Sequence, residues 1–247
     1  MKTFGLIGYP LKHSFSYRFF GEKFTKERID AQYLNFEIAD IDRLPDIIKE
    51  YTKLAGLNVT IPYKEQVIPF LDELDPTAKA IGAINVIKID RRGDNIHLKG
   101  FNSDYIGFRD SISPLINPEV HHKALILGTG GASKAVEYGL KDLNIETQYV
   151  SRSRKEGVIT YADLSEEVMS EYTVIINASP IGPFPNIDEC PDIPYNYIGK
   201  KHLLYDLVYN PAVTKFLDLG KKQGAKIKNG EEMLELQAIA AWHIWNE

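Results

Sequence analysis

The stretch Lys123-Ala124-Leu125-Ile126-Leu127-Gly128-Thr129-Gly130-Gly131-Ala132-Ser133 admits few folds. Ala124 to Leu127 run apolar without alternation, the pattern of a parallel strand covered on both faces. Glycines follow where the backbone must turn sharply, and Ser133 to Leu143 reads as a helix. Strand, glycine turn and helix N-terminus in that order gather unpaired N–H groups and a positive dipole end at one point. A pyrophosphate is the natural occupant of such a point. The usual third glycine of this fingerprint is Ser133, so the turn alone also fits a plain core loop.

The next strand narrows the choice. Thr147 to Val150 leads into Ser151-Arg152-Ser153-Arg154. A fold of this kind that binds NAD places a carboxylate there, about 20 residues past the glycines, to accept the ribose 2′-hydroxyl. Here the carboxylate is missing and two arginines follow, a charge and geometry that suit a 2′-phosphate. The position therefore predicts NADP rather than NAD; a solvated basic loop is the plainer alternative.

At 247 residues the chain has room for one large or two smaller domains. Its net charge of −5 argues against a general nucleic-acid binder. The one cysteine, Cys190, excludes an intrachain disulfide and a cysteine metal cluster and points to the cytoplasm. No His or Cys cluster suits a metal, and no apolar run is long enough for a signal peptide or a membrane span.

In chain order, strands are predicted at Thr3–Gly8 and Gln32–Ile38, with helices at Tyr17–Glu27 and Ile41–Leu54. Ser14 and Ser16 lie after the first strand and before a helix, where most serines cap; one can cap while the other meets a ligand. Gly56 to Pro62 alternates like a strand with one face turned to a cleft, placing Asn58 and Thr60 on that face and Lys64 beyond. Asn85 interrupts an apolar run, and a hairpin turn is predicted at Arg91-Arg92-Gly93-Asp94. Asp104 opens a helix, where aspartate is a favoured cap. Further strands are predicted at Val174–Ala178, Leu203–Tyr209 and Ala225–Lys228, with helices from Asn210-Pro211 to Gln223 and from Glu231 to Trp245. Gln237 sits inside the last helix, which is apolar around most of its circumference and therefore well buried.

These blocks, Gly8 to Ser16, Asn58 to Lys64, Gly82 to Asn85, Gly100 to Asp104, Gly128 to Ala132, Asn177 to Gly182, Tyr205 to Tyr209 and Gly230-x-x-Met233-Leu234-x-x-Gln237, together resemble the shikimate dehydrogenase family along almost the whole chain. The resemblance implies an α/β protein of two domains. An N-terminal α/β substrate-binding catalytic domain would span 1–101, completed by 230–247 as the C-terminal helix returns to it. A Rossmann-type NADP-binding domain would span 102–229. The implied activity is NADPH-dependent reduction of 3-dehydroshikimate to shikimate, on the route to chorismate and aromatic amino acids.

The resemblance further implies that Lys64 and Asp104 are the catalytic pair. Ser14, Ser16 and Tyr209 would hold the substrate carboxylate, and Asn58, Thr60, Asn85 and Gln237 the ring hydroxyls and nearby polar groups. Gly128, Thr129, Gly130, Gly131, Ala132, Ser151, Arg152, Ser153, Arg154, Leu207 and Gly230 would carry the cofactor. Hydride delivery to a ketone puts negative charge on oxygen, which an ammonium can stabilise and protonate; a nearby carboxylate favours the charged amine and fixes its direction. The expected partner is the small-molecule substrate, with no nucleic acid and no membrane, in a monomer or homodimer. The nearest rival is a quinate or quinate/shikimate dehydrogenase using NAD or NADP; a non-catalytic nucleotide-binding regulator would not need Lys64 and Asp104 together.

Overall fold

The computed structural model describes every residue except Lys12, His13 and Asp94. Part of the loop before the first helix and one residue of the predicted hairpin turn thus lie outside the described residues. The chain divides into two units, Met1–Ser103 with Gln237–Glu247, and Asp104–Leu236.

The first unit contains β1 (Lys2–Gly8), α1 (Phe15–Lys26), β2 (Ala31–Glu37), α2 (Leu44–Glu50), β3 (Leu54–Val59), α3 (Tyr63–Gln66), β4 (Glu73–Leu74), α4 (Pro76–Ile81), β5 (Val86–Arg92) and β6 (Asn95–Phe101). They form one sheet in the order β2-β1-β3-β5-β6-β4. β1 pairs in parallel with β2 and β3, whereas β5 runs antiparallel to both β3 and β6. Strand period sorts the core onto two faces. Ile7, Leu57 and Val59 pack with Leu44, Ile47 and Ile48 of α2. Phe4, Leu6, Tyr33 and Val86 pack with Phe20 and Phe24 of α1 and with Ala238, Ala241 and Trp245 near the chain's end.

The second unit contains α5 (Asp104–Ile112), β7 (Lys123–Leu127), α6 (Gly131–Asp142), β8 (Glu146–Ser151), β9 (Val158–Thr160), α7 (Glu166–Glu171), β10 (Val174–Asn177), β11 (Leu203–Asp206), α8 (Lys215–Lys222) and β12 (Lys226–Lys228). α9 (Glu231–Asn246) begins here and ends in the first unit. The sheet runs β12-β11-β10-β7-β8-β9, with all five pairings parallel. Its central strands are continuous apolar runs because helices cover both faces. Strand order reverses at β7, so the carboxyl ends of β7 and β10 form the crevice where doubly wound folds take ligands.

Several elements differ from expectation. The predicted helix over 41–54 is a short 3₁₀ turn followed by α2, which stops at Glu50. Leu54 keeps helical spacing, but it is claimed by β3, where it pairs with Thr3 of β1. β3 is buried at nearly every position instead of alternating, since apolar side chains cover this sheet on both faces. The strand predicted to reach Tyr209 ends at Asp206, because the Val208 N–H turns aside to donate to the Asp206 carboxylate at 3.0 Å. α8 starts after Thr214, whose hydroxyl accepts from the Leu217 N–H, and not at Asn210-Pro211. The short strands β4 and β9 carry too few residues to show a period.

Candidate active site

In the first unit the candidate residues cluster at the carboxyl ends of β1 and β3 and in the segments that follow. Ser14 caps α1, its Oγ accepting from the Tyr17 N–H at 3.1 Å. Ser16 lies half-buried in the first turn of α1. Nearby in the same unit, the Tyr33 hydroxyl donates to Asn58 Oδ1 at 2.7 Å. Asn58 in turn donates through Nδ2 to the Asn85 carbonyl at 3.4 Å. Asn85 is fixed at both ends of its amide, accepting from the Ser103 N–H at 2.6 Å and donating to Ser103 Oγ at 2.9 Å. A buried polar chain therefore runs Tyr33–Asn58–Asn85–Ser103, every link satisfied as burial demands.

Thr60 closes β3 by donating its N–H to the Ile7 carbonyl at 2.9 Å, and its own carbonyl accepts from the Tyr63 N–H at 2.9 Å, starting α3. Lys64 follows on α3, half-buried, and its backbone carbonyl accepts from the Ile84 N–H at 2.7 Å. That bond ties α3 to the residue next to Asn85. Gln237 is buried on α9.

In the second unit Asp104 is buried in the first turn of α5, where the helix dipole favours a carboxylate. Gly128 ends β7 with φ +115, and a Cβ there would come within 3.0 Å of the Ala178 carbonyl oxygen, so only glycine lets the two strand ends approach. Ser133, at the usual third-glycine position, folds its hydroxyl back to donate to the Gly130 carbonyl at 2.6 Å. The serine thereby braces the turn it interrupts.

Beyond β8 the two arginines separate. Arg154 donates to both carboxylate oxygens of Asp163 and is an ion-pair partner within its own unit. Arg152 is exposed and has no ion-pair partner among the described residues. Ser151 Oγ accepts from the Ser153 N–H at 3.3 Å, shaping the loop that carries Arg152.

The residues fit a dinucleotide phosphate. Gly130 has an ordinary extended backbone (φ −82, ψ 179), and a Cβ there would meet nothing within 4 Å, so internal packing does not require its missing side chain. α6 begins at this glycine without a side-chain cap and without an acidic residue in its first turn. Its leading N–H groups thus have no internal anion for a phosphate to displace.

A second knot joins the ends of β10 and β11. Asp206 is fully buried and accepts from Asn177 Nδ2 (2.9 Å), Thr214 Oγ1 (2.5 Å) and the Val208 N–H (3.0 Å). With no cation among these partners, burial pushes its carboxyl up to about 6. Asn177 Oδ1 accepts from both the Ser179 N–H and its hydroxyl, fixing the loop after β10. Leu207 donates its N–H to the Asn177 carbonyl at 3.0 Å. Gly230 packs so tightly on the Leu207 backbone that a Cβ would collide with its carbonyl. Tyr209 is 43% exposed beyond the end of β11.

The family model for the shikimate dehydrogenase substrate binding domain matches residues 6–87. The NADP(+) shikimate dehydrogenase of Aquifex aeolicus is 37% identical over 256 residues, spanning 99% of this chain and 91% of that protein. The chain belongs to the shikimate dehydrogenase family. The crystal structure of a shikimate dehydrogenase from the same organism superposes with a TM-score of 0.86 at 34% identity, covering 100% of this chain and 92% of that one. The Thermus thermophilus shikimate 5-dehydrogenase, solved with NADP(H) and shikimate, superposes with a TM-score of 0.85 at 28% identity, covering 99% and 93%.

Three residues around the family site carry no role in the sequence reading. Tyr33 falls in a predicted strand, although a buried tyrosine hydroxyl needs a partner and is a usable signal. Asp206 and Ser103 each sit in a recognised block, but the side chains that meet them from elsewhere in the chain, Asn177 and Asn85, are too distant in sequence to infer. Among the described residues no group of three His, Cys, Asp or Glu side chains could hold a metal ion, and no described helix is long and apolar enough to cross a membrane.

Proposed function

We propose that this chain catalyses the reversible NADP-dependent reduction of 3-dehydroshikimate to shikimate, the step that serves chorismate and aromatic amino acid formation. The observation that carries the reading is full-length relatedness to shikimate dehydrogenases, with 99% of the chain aligned to the Aquifex enzyme. The first unit, Met1–Ser103 with Gln237–Glu247, supplies the substrate-binding part expected over 1–101 and 230–247, and the second, Asp104–Leu236, supplies the NADP-binding part expected over 102–229, so that residues 230–236 fall with the second unit.

Lys64 is assigned as the proton donor to the carbonyl oxygen in reduction, and as the base in its neutral form for oxidation, with Asp104 as its carboxylate partner. An ammonium placed at the developing oxyanion stabilises charge that is present only in the transition state. Ser14, Ser16 and Tyr209 are assigned to the substrate carboxylate. Asn58, Thr60, Asn85 and Gln237 are assigned to hydroxyls, and the satisfied chain from Tyr33 to Ser103 supports that reading because it locks two of those amides. The cofactor, when bound, supplies the hydride. The turn from Gly128 to Ala132 would hold its pyrophosphate, with Leu207 and Gly230 bordering it. Arg152, flanked by Ser151 and Ser153, would bind the 2′-phosphate, leaving Arg154 a bracing role through Asp163. The lone, unpaired Cys190 supports a cytoplasmic enzyme, which would act as a monomer or homodimer.

The test is a reduced-cofactor absorbance assay of the purified protein with shikimate and quinate, each against NADP and NAD. Turnover of shikimate with NADP well above the other three combinations is expected. Preference for quinate or for NAD would turn the assignment to a quinate dehydrogenase, and no turnover at all would overturn it.

A further inference from the structure

Tyr33 stands at the head of the polar chain in the first unit. Its ring stacks on Phe20 with centroids 4.8 Å apart and planes 13° apart, and the residue is 5% exposed. The stack itself needs no hydroxyl, and phenylalanine would make it as well. Burying a hydroxyl and an amide is worthwhile only when each finds a partner, and here Tyr33 and Asn58 find each other across two separate strands. A core built for packing alone would have used apolar residues at these positions.

The direction of the bonds gives the chain its meaning. The tyrosine donates to Asn58 Oδ1, which decides the amide's orientation. With the oxygen turned toward Tyr33, the Asn58 amide presents its N–H donors on the other side, one of which goes to the Asn85 carbonyl. We propose that Tyr33 is a positioning residue for substrate binding: by orienting Asn58 as a donor, it sets the hydrogen-bond pattern that a polyhydroxylated acid must match. This inference rests on the assignment of Asn58 to substrate made above.

The experiment compares wild type, Tyr33→Phe, Asn58→Ala and the double variant by shikimate KM, NADP KM and Tm. Loss of one neutral hydrogen bond predicts a rise in shikimate KM of about three- to tenfold for Tyr33→Phe, with NADP KM unchanged. In the Asn58→Ala background the same substitution should add little, because the group through which Tyr33 acts is gone. An equal factor in both backgrounds, or an unchanged shikimate KM, would overturn the inference. Should Tyr33→Phe fail to fold, Asn58→Asp keeps the acceptor for the tyrosine and removes the amide donor. It is expected to raise shikimate KM as much as Asn58→Ala, and a wild-type KM would overturn the inference. A wild-type protein inactive on shikimate would instead refute the proposed function, which separates the two failures.

Discussion

Arg154 donates to both oxygens of Asp163, at 2.7 and 3.0 Å, while the same carboxylate accepts from the Thr160 N–H and hydroxyl. These bonds hold the Asp163 carboxyl below its ordinary value, the Thr160 backbone bond contributing most. Which arginine is left to meet an anion is therefore not decided by counting cations. It is decided by which one the fold has already used.

Arg152→Ala should raise the KM for NADP by about tenfold or more, the value of a charge-assisted bond, and leave the KM for NAD nearly unchanged. Arg154→Ala should change the NADP-to-NAD ratio little. Steady-state kinetics with both cofactors decides the matter, and equal weakening of both cofactors by Arg152→Ala would make that residue a nonspecific contact.

Lys64→Ala should lower kcat by about 10²–10⁴-fold, the usual contribution of a positioned proton donor, with a much smaller change in shikimate KM. A loss confined to KM would show that Lys64 only binds substrate.

Gly230→Ala places a methyl group against the Leu207 carbonyl with no room for it. Overpacking of this kind costs about 1–3 kcal/mol, which in a chain of this size lowers Tm by roughly 2–4 °C per kcal/mol. Differential scanning calorimetry at one pH suffices; an unchanged Tm would mean that the Leu207 backbone yields freely.

Asp206 predicts a pH effect of definite sign. Its carboxyl rises from 3.8 to about 6 on folding, so between those values the native state holds the proton more tightly than the unfolded chain. Its contribution to stability is full below about pH 4 and is lost as pH rises through about 6, an effect on the order of 3 kcal/mol. Asp206→Asn can keep its bonds from Asn177 and Val208 without the charge. The variant's Tm minus the wild type's should therefore grow from pH 4 to 6 and then level off; parallel curves would show that the carboxylate carries no penalty.

The alternation of strands and helices is readable from apolar period and turn residues, and so is the glycine turn from β7 into α6, since strand, glycine and helix start are all local. Ser14 as a cap is readable for the same reason. What is hidden depends on pairing across the sheet. Tyr33 and Asn58 lie 25 residues apart and meet only because β1 stands between their strands. Asp163 has the look of a helix-start residue, which it is, yet its second role appears only once β9 brings it back toward Arg154. The end of β11 is equally hidden, because an apolar run gives no hint that a buried aspartate will draw its neighbour's N–H out of the ladder.

The arrangement of α9 bears on synthesis. Phe4, in β1, stacks on Trp245 at 4.8 Å, and the Trp245 indole donates to the Ile87 carbonyl at 3.0 Å. A nascent chain emerging from the ribosome cannot seal this face of the first sheet until α9 has been made, so that aromatic face must wait, wet and exposed, while the whole second sheet is made. A stop codon before Trp245 would thus damage a sheet whose strands had all been translated long before.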